Sequence, residues 1–500
     1  MLEKYCDILI VGTELPGLIT GAFLSRRGLS VQVVDSDFYA DHPHLPDPKC
    51  ITHAQSKLLK SIMGRLNVPE IMIQNFLTKE SNMQAVFPGH RIDVLSNPLF
   101  YYDELEREFP ASANELKALY EKQASIRFKI DINDLYAKLI PSTWSERRAF
   151  NHFATEHQLN EKEQGFLDLI AKHPTLNVFF EAQYLLAYQT LMDNPLSYQI
   201  AELLNPSDGE VFSMISGARS LKNLLLERIV SHDGHVRKKC SVSQLLTRNG
   251  TVEGIELAES QEQVLARYVL WNAPLGKLAS LVPNKWRYRG FKKSFQNFET
   301  PSHWFSTRYI IKHEYVPTPM KKNLILVQDP KKELQGANFL FVNVSEPSRS
   351  GQCYIDVHFL LPKSALSENY EFFVPYFKAV EQNLLKVLPF AERELRHVFP
   401  LRSDAQSVDT LFPMNENDFD VFKYSAENNG VLQKQAKTFL DLFQLNFKTP
   451  FPNFFISHPY VFYGLGLDSK LTLGLKITDL IWQEVEKDKK RAMKSERRIA

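Results

Sequence analysis

The pattern of apolar and polar positions near the start of the chain predicts a strand, a helix and a second strand. Asp7 to Val11 is a short apolar run bounded by Gly12, which is typical of a buried strand. A helical stretch from Leu18 to Arg27 follows. Val31 to Val34 then makes a second apolar strand that closes on Asp35. The order is therefore strand, glycine turn, helix, strand, acid.

Beyond residue 216 the pattern predicts a helix, a hairpin and a further strand. Val236 to Leu246 and Val252 to Leu257 are strand-like, and they flank Asn249-Gly250, a strong signal for a tight hairpin turn. Val264 to Trp271 makes one more apolar strand, and a loop at Asn272 to Pro274 follows it. This segment continues the α/β pattern of the N-terminal unit.

The last fifty residues contain a third strand–turn–helix unit. Asn453 to Ser457 is typical of a buried strand, and a glycine-rich loop follows at Gly464-Leu465-Gly466-Leu467. The next helix carries apolar residues at helical spacing, and Asp468 or Ser469 is its expected N-cap. A glycine-rich loop that opens a helix offers backbone N–H groups and a positive dipole end to an electron-rich group.

The two segments between these units have different patterns. Residues from about 53 to 203 are predominantly helical in pattern, whereas strands dominate from 300 to 362 and a helix follows from Tyr370 to Leu388. Alternation of Tyr354, Asp356 and His358 with apolar neighbours predicts a strand with one exposed face. We therefore assign 1–75, 205–299 and 445–500 to one α/β domain, 76–204 to the helical part of a second domain, and 300–444 to its antiparallel sheet and helix.

Composition narrows the functional classes. With 59 Lys+Arg against 58 Asp+Glu the chain is nearly neutral, which disfavours a nucleic-acid partner. Four widely spaced cysteines (Cys6, Cys50, Cys240 and Cys353) show no zinc spacing and indicate reduced thiols in a cytoplasmic protein. The N-terminus lacks a signal-peptide pattern, and no apolar run is long enough to span a bilayer. The histidines do not cluster with carboxylates, so we expect no metal site.

The glycine turn carries the main chemical hypothesis. Gly12 permits a tight turn out of the strand, and Gly17 lets the helix pack close to the sheet. The helix N-terminus then presents N–H groups to a diphosphate. Asp35 follows Gly12 by 23 residues, close to the spacing of a carboxylate that binds ribose hydroxyls. We predict that Gly12, Thr13, Glu14, Gly17 and Asp35 contact a dinucleotide.

One position departs from the dinucleotide-binding pattern. Glu14 stands where a middle glycine lets the backbone approach the diphosphate, and Pro16 removes one N–H group from the turn. Three outcomes remain open: the Glu14 side chain turns towards solvent, the dinucleotide binds in a different position, or it no longer binds.

Together these segments resemble the superfamily of FAD-dependent phytoene desaturases, flavin amine oxidases and Rab GDP-dissociation inhibitors. The resembling residues are Asp7 to Asp35, Gly217 to Pro274 and Phe454 to Asp479, under a third of the chain. The resemblance implies a Rossmann-like FAD-binding domain in an α/β fold, beneath a substrate domain of helices and antiparallel sheet. It also implies that Gly464, Leu465, Gly466 and Leu467 contact the flavin. Ser457-His458 stands where the superfamily commonly has Gly-Asp or Gly-Ala, and Ser36 to Tyr39 where a Gly-Gly-Arg segment often stands.

The function implied is that of an FAD-dependent oxidoreductase that desaturates or saturates an apolar polyene or isoprenoid. No catalytic residue can be named, because a flavin enzyme needs few protein acids or bases. The alternative is a non-enzymatic scaffold that binds a lipid or prenyl chain, as the Rab inhibitors do. An NAD-dependent dehydrogenase is disfavoured because the loop at Gly464 would then have no role. For the mixed-charge tail from Glu484 to Arg498 a solvated helix is favoured over peripheral contact with a membrane.

Overall fold

The computed structural model describes residues 5–36, 46, 51–52, 56–79, 83–94, 98–127, 138, 140–141, 143–192, 195–204, 212–214, 217–295, 300–400, 418–433, 436–443 and 449–499. Cys50, the segment from Asp37 to Tyr39 and the helix start predicted at His53 lie outside these residues. Within the described ranges no helix is both long enough and apolar enough to cross a bilayer.

Strands and α-helices are interspersed along the chain. The strands are β1 (Tyr5–Val11), β2 (Val31–Val34), β3 (Ile51–Thr52), β4 (Leu77–Lys79), β5 (Met83–Phe87), β6 (His90–Val94), β7 (Phe212–Met214), β8 (His235–Arg237), β9 (Val242–Arg248), β10 (Thr251–Leu257), β11 (Gln263–Trp271), β12 (Ser302–Lys312), β13 (Asn323–Val327), β14 (Phe339–Val344), β15 (Gln352–Pro362), β16 (Arg396–Phe399), β17 (Gly430–Val431) and β18 (Phe454–Ile456). The α-helices are α1 (Leu15–Arg26), α2 (Ser56–Arg65), α3 (Glu70–Phe76), α4 (Pro98–Glu108), α5 (Ala113–Arg127), α6 (Trp144–Glu156), α7 (Gln164–Lys172), α8 (Pro174–Tyr188), α9 (Ser197–Leu204), α10 (Gly217–Val230), α11 (Leu275–Leu281), α12 (Arg289–Ser294), α13 (Tyr370–Val387), α14 (Asp418–Glu427) and α15 (Gly466–Ile499).

The first sheet joins strands from three distant parts of the chain. Its order is β8-β2-β1-β11-β10-β9, and β18 pairs with β11. Strands β8, β2, β1, β11 and β18 run parallel to one another, whereas β10 is antiparallel to β11 and forms with β9 the hairpin predicted at Asn249-Gly250. Ile8, Leu9 and Ile10 of β1 are fully buried because both faces of the sheet are covered. The strand order reverses at β1, and this is where α/β sheets bind ligands.

Helices α1 and α15 bring the two ends of the chain together. A Cβ atom on Gly474 of α15 would lie 2.8 Å from the carbonyl oxygen of Pro16 in α1, so only glycine allows this approach. The hydroxyl of Thr20 crosses the contact and donates to the Gly474 carbonyl at 3.0 Å. The Gly12 turn and the Gly464 turn therefore lie on one body, as the predicted fold requires.

A second sheet has the order β16-β12-β15-β14-β13-β5-β6, and the short strand β17 pairs with β12. It is antiparallel except for β13 and β5, which run parallel. The segment predicted to be helical therefore also contributes the hairpin β5–β6, which extends this sheet. Helices α13 and α14 cover one face through an aromatic cluster that includes Phe305, Phe373 and Phe422.

The prediction of an exposed face on β15 is wrong. Asp356 and His358 are 7% and 4% exposed, although they alternate with apolar residues as the pattern required. Both are buried because neighbouring strands supply polar partners. Arg308 of β12 donates to both carboxylate oxygens of Asp356, at 2.6 and 3.0 Å, and the Ser306 hydroxyl lies 2.7 Å from Nδ1 of His358.

Candidate functional site

The candidate site lies at the carboxyl ends of four adjacent parallel strands. Gly12 follows β1, Asp35 follows β2, Asn272 follows β11 and Ser457 follows β18. Parallel strands end at one edge of a sheet, so the loops after them converge. Four segments that are far apart in sequence thus form one polar cluster.

Gly12 makes the turn between β1 and α1. Its φ of +100° is a conformation that L side chains rarely adopt. A Cβ atom would also lie 2.7 Å from the backbone of Asn272 and Ala273. Both constraints require glycine here, as the sequence predicted for the first position of the turn.

Asp35 lies at the end of β2 with 8% of its surface exposed. The hydroxyl of Thr13 donates to Asp35 Oδ2 at 3.0 Å, which links the β1–α1 turn to the acid after β2. The backbone of Asp35 is also fixed, since its N–H group donates to Arg237 and its carbonyl oxygen accepts from Cys240. The carboxylate is therefore held at the position that the sequence pattern assigns to a ribose-binding acid.

Glu14, in the turn between β1 and α1, forms an ion pair with Lys222. Its Oε1 lies 3.1 Å from the ammonium group of Lys222 on α10, and 32% of its side chain is exposed. Burial alone would raise the pKa of Glu14, but the charges of Lys222 and Lys470 and the hydrogen bond from Lys222 outweigh burial and lower this pKa to about 2. The side chain is therefore ionised at neutral pH and bound to lysine. Of the three outcomes left open by the sequence, turning towards solvent is not the one adopted.

His458, one residue beyond Ser457, lies 9% exposed beside this ion pair. Burial lowers the pKa of its imidazole to about 4, and Glu14 opposes this effect while Lys470 and Lys222 add to it. Its Nδ1 accepts a hydrogen bond of 3.3 Å from the backbone N–H of Tyr460. The imidazole is therefore neutral at neutral pH and adds no positive charge to those of Lys222 and Lys470.

Asn272 holds the turn together and was not singled out by the sequence. Its side chain is fully buried, and its Nδ2 donates to the carbonyl oxygens of Gly12 at 3.1 Å and Glu14 at 2.7 Å. Its Oδ1 accepts from the Gly17 N–H at 3.0 Å and from the Ser457 hydroxyl at 2.9 Å. Gly17 is required because a Cβ atom there would lie 2.3 Å from the Asn272 side chain.

The loop from Gly464 to Leu467 is buried at the start of α15. Gly464 and Gly466 have φ values of +83° and +56°. The Gly464 carbonyl accepts from Gln199 Nε2 at 2.7 Å, and a Cβ atom on this glycine would lie 2.8 Å from Leu442. The helix begins at Gly466, earlier than the caps predicted, and the Ser469 hydroxyl accepts from the Leu465 N–H at 2.9 Å. The predicted cap residue therefore stabilises the loop rather than the helix start.

The structure thus brings the predicted residues into two neighbouring groups. Gly12, Thr13, Glu14, Gly17 and Asp35 surround the β1–α1 turn, and Gly464, Leu465, Gly466 and Leu467 begin the helix that packs on α1. Lys470, in the first turns of that helix, belongs to the charge cluster of Glu14. Sequence reasoning missed Lys222 and Lys470, because a lysine on a helix carries no local signal of the carboxylate it faces.

Comparison with known proteins agrees with this architecture. No protein-family model matches the chain, and no curated protein sequence matches it. An oxidoreductase from Methanosarcina mazei has a similar structure, with a TM-score of 0.57, 13% identity and coverage of 95% of this chain and 100% of that one. Putrescine oxidase bound to putrescine has a TM-score of 0.55 at 12% identity, with coverage of 96% and 99%. The chain therefore has the Rossmann-like α/β fold that its sequence predicts, and it shares this fold with these two solved structures.

Proposed function

We propose that this protein is an FAD-dependent oxidoreductase that acts on an apolar substrate, with phytoene desaturase-like chemistry. The observation that carries the proposal is the convergence of Gly12, Asp35 and the start of α15 at one edge of the parallel sheet. An extended dinucleotide needs this combination: a turn for its diphosphate, an acid for its ribose and a second helix start for its ring.

The residues at the turn fit a diphosphate on charge and on backbone geometry. The positive charges of Lys222 and Lys470 both act on the carboxylate of Glu14, so an anion added beside it would approach two ammonium groups. Gly12 makes the tight turn and Gly17 allows close packing, whereas Glu14 occupies the middle position at which the backbone would approach a diphosphate. Asp35 would accept hydrogen bonds from the ribose hydroxyls, as Thr13 already donates to it.

When bound, the flavin would supply the hydride-accepting ring. The chain's own residues would bind the flavin, orient the substrate and exclude water. The loop from Gly464 to Leu467 would direct backbone N–H groups and the positive end of the α15 dipole towards the ring. His458 has a pKa of about 4, so at neutral pH it cannot donate a proton as an imidazolium. It would serve as a neutral neighbour of Glu14.

The apolar substrate class rests on the resemblance to desaturases and on the second domain. The ring of Phe179 on α8 packs against Phe87 of β5 and against Phe109, and all three side chains are buried. A domain so rich in aromatic side chains would offer apolar walls and few polar groups to a substrate. Such walls suit an isoprenoid or polyene better than a charged metabolite.

A non-enzymatic lipid- or prenyl-binding scaffold is the second candidate, and one observation favours it. The ionised Glu14 carboxylate lies where a diphosphate would approach, and the Gly17 N–H group is already used by Asn272. A scaffold that had lost flavin chemistry could have gained both features, because each stabilises the turn without a ligand. The two candidates differ in whether the protein binds FAD.

Titration of the purified protein with FAD, followed by its visible spectrum and melting temperature, separates the candidates. We expect flavin absorption that bleaches on reduction, together with a higher melting temperature in FAD. Lys470→Met should weaken FAD binding about tenfold, because one cation near the diphosphate is lost. Lys476→Met is the matched control, since Lys476 lies on the same helix but pairs with Glu146 at 3.2 Å. A colourless protein that FAD does not stabilise would establish the scaffold instead.

Substitution of Glu14 tests how this residue controls the site. Glu14→Gln keeps the side-chain shape and removes one negative charge, so we expect the affinity for FAD to rise at least about tenfold. Glu146→Gln is the control, because it removes the carboxylate of the comparable surface pair with Lys476. Unchanged FAD affinity in Glu14→Gln would show that the carboxylate does not face the diphosphate.

A further inference from the structure

Trp286 is the most exposed large apolar residue in the described part of the chain, with 82% of its surface accessible. It begins a short 3-10 turn, Trp286–Tyr288, which leads directly into α12. All residues from 284 to 290 are exposed except Tyr288. The segment therefore projects from the body of the protein with its indole in solvent.

The backbone below Trp286 is fixed by buried neighbours. Tyr288 is 3% exposed, and its ring lies 4.7 Å from that of Phe451 in the core of the first domain. At the end of α12, the rings of Phe291 and Phe295 pack at 4.7 Å, and Lys292 donates to the Val282 carbonyl at 3.4 Å. A rigid base of this kind keeps the tryptophan exposed, because the turn cannot fold back to bury it.

The charge around Trp286 is entirely positive along the chain. From Gln263 to Phe298 the sequence contains seven Lys or Arg residues and no Asp or Glu, in a protein whose total net charge is +1. Four of these cations are exposed within the projecting segment: Lys285, Arg287, Arg289 and Lys293. This segment, residues 285–293, is called here the basic tryptophan turn.

Two other exposed aromatic residues, Trp144 and Phe390, lie beside charges of both signs. Trp144 is 75% exposed, but Glu146 and Arg148 lie within one helical turn of it. Phe390 is 78% exposed and is followed by Glu392, Arg393 and Glu394. Mixed charge at both places is typical of ordinary solvated surface, so exposure alone does not distinguish the basic tryptophan turn. The combination of exposure with uniform positive charge does.

We propose that the basic tryptophan turn binds the surface of a bilayer that contains anionic lipid. The indole of Trp286 lies at the boundary between headgroups and acyl chains, where tryptophan is favoured because its ring is apolar and its N–H group is polar. The surrounding cations are attracted to anionic headgroups, and each contributes about fivefold to the partition coefficient. This contact is independent of FAD binding, and it would hold the protein where apolar molecules dissolve.

A bilayer matches the turn better than a nucleic acid or an acidic protein does. Single-stranded nucleic acids are bound along grooves with several aromatic rings for successive bases, whereas this projecting turn presents one ring. Protein interfaces have an apolar centre of several residues within a polar rim. One inserted aromatic residue among exposed cations is the arrangement that a flat, negatively charged interface accommodates.

Flotation of the full-length protein with lipid vesicles tests the proposal. We expect binding to vesicles of phosphatidylglycerol mixed with phosphatidylcholine, no binding to phosphatidylcholine alone, and weakening by salt. Trp286→Ser should lower the partition coefficient about tenfold, and Arg287→Gln with Arg289→Gln about twentyfold. Trp144→Ser is the matched control, because it removes an equally exposed tryptophan from a mixed-charge surface and should change nothing.

Quenching by brominated lipid provides a second measurement. Tryptophan fluorescence of the wild-type protein should be quenched on binding, and the Trp286→Ser variant should lose that quenching. Equal vesicle binding by wild type and Trp286→Ser would overturn the proposal, and so would equal binding to neutral vesicles. Binding of double-stranded DNA or polyglutamate at the turn, without quenching by lipid, would replace the bilayer with a soluble polyanion.

Discussion

His458 illustrates how one buried side chain links the candidate site to the stability of the fold. Burial lowers the pKa of its imidazole from 6.5 to about 4. Between these two pH values the imidazole is therefore neutral in the folded protein and protonated in the unfolded chain. A group whose pKa is lower in the folded state adds stability that is present above its unfolded pKa. That stability is lost as the pH falls from about 6.5 towards 4.

We therefore expect the free energy of unfolding to decrease as the pH falls through this window, and His458 should contribute at most about 3 kcal/mol of the decrease. His458→Gln keeps an acceptor for the Tyr460 N–H group and cannot be protonated, so its unfolding free energy should vary less steeply with pH. Denaturant unfolding at several pH values between 4 and 7 measures the slope. His152→Gln, at a side chain 84% exposed, should keep the wild-type slope, and an unchanged slope in His458→Gln would contradict the assignment.

Strands β12 and β15 pair along eleven residues, and their buried polar face is the least expected part of the fold. The Arg308 and Asp356 side chains are only 13% and 10% exposed, and the Arg308 guanidinium also lies 4.8 Å from the centre of the Tyr354 ring. A buried ion pair with two hydrogen bonds is costly to break, because one partner would be left charged and dehydrated. Replacing both partners removes that penalty.

Arg308→Met should accordingly lower the free energy of unfolding by about 3–5 kcal/mol, whereas Arg308→Met combined with Asp356→Leu should recover most of the loss. Thermal or denaturant unfolding of the two variants measures the difference. Lys332→Met is the surface control: its ion pair with Asp329 joins side chains 72% and 39% exposed at 3.7 Å, and its loss should cost less than about 1 kcal/mol. A double variant as unstable as Arg308→Met would show that the pair itself stabilises the sheet.

Local pattern predicted most elements of the first sheet but not the contacts between distant residues. Val236 to Leu246, predicted as one strand, instead forms β8 and β9, which lie at opposite ends of the sheet. Strands β1 and β2 and the hairpin turn at Asn249-Gly250 were predicted because apolar runs and glycine turns act within a few residues. The burial of Asp356 depends on Arg308, 48 residues earlier, and the ion pair of Glu14 depends on Lys222, 208 residues later. Such pairings are set by strand order and helix packing, so they cannot be derived from spacing along the chain.

The first sheet and the helices that cover it are completed only near the end of the chain. Strand β18 pairs with β11, and α15 packs on α1 near the opposite end of the sequence. Leu471, Leu473, Ile477 and Ile481 of α15 are fully buried in the core of this domain. Burial of these four side chains stabilises the fold by about 6–12 kcal/mol, which is comparable to the whole stability of a typical domain.

Two truncations therefore have opposite expected results. A chain that ends at residue 452 lacks β18 and α15, and we expect it to show no cooperative thermal transition of the first domain. A chain that ends at residue 491 keeps β18, α15 as far as Arg491 and the hydrogen bond from the Tyr268 hydroxyl to Asp488, so it should melt as the full-length protein does. Circular dichroism melting of both chains measures this. A cooperative, wild-type-like transition in the shorter chain would mean that the N-terminal glycine turn forms without the helix that packs on it. The candidate site would then form without contact between the N-terminal and C-terminal parts of the chain.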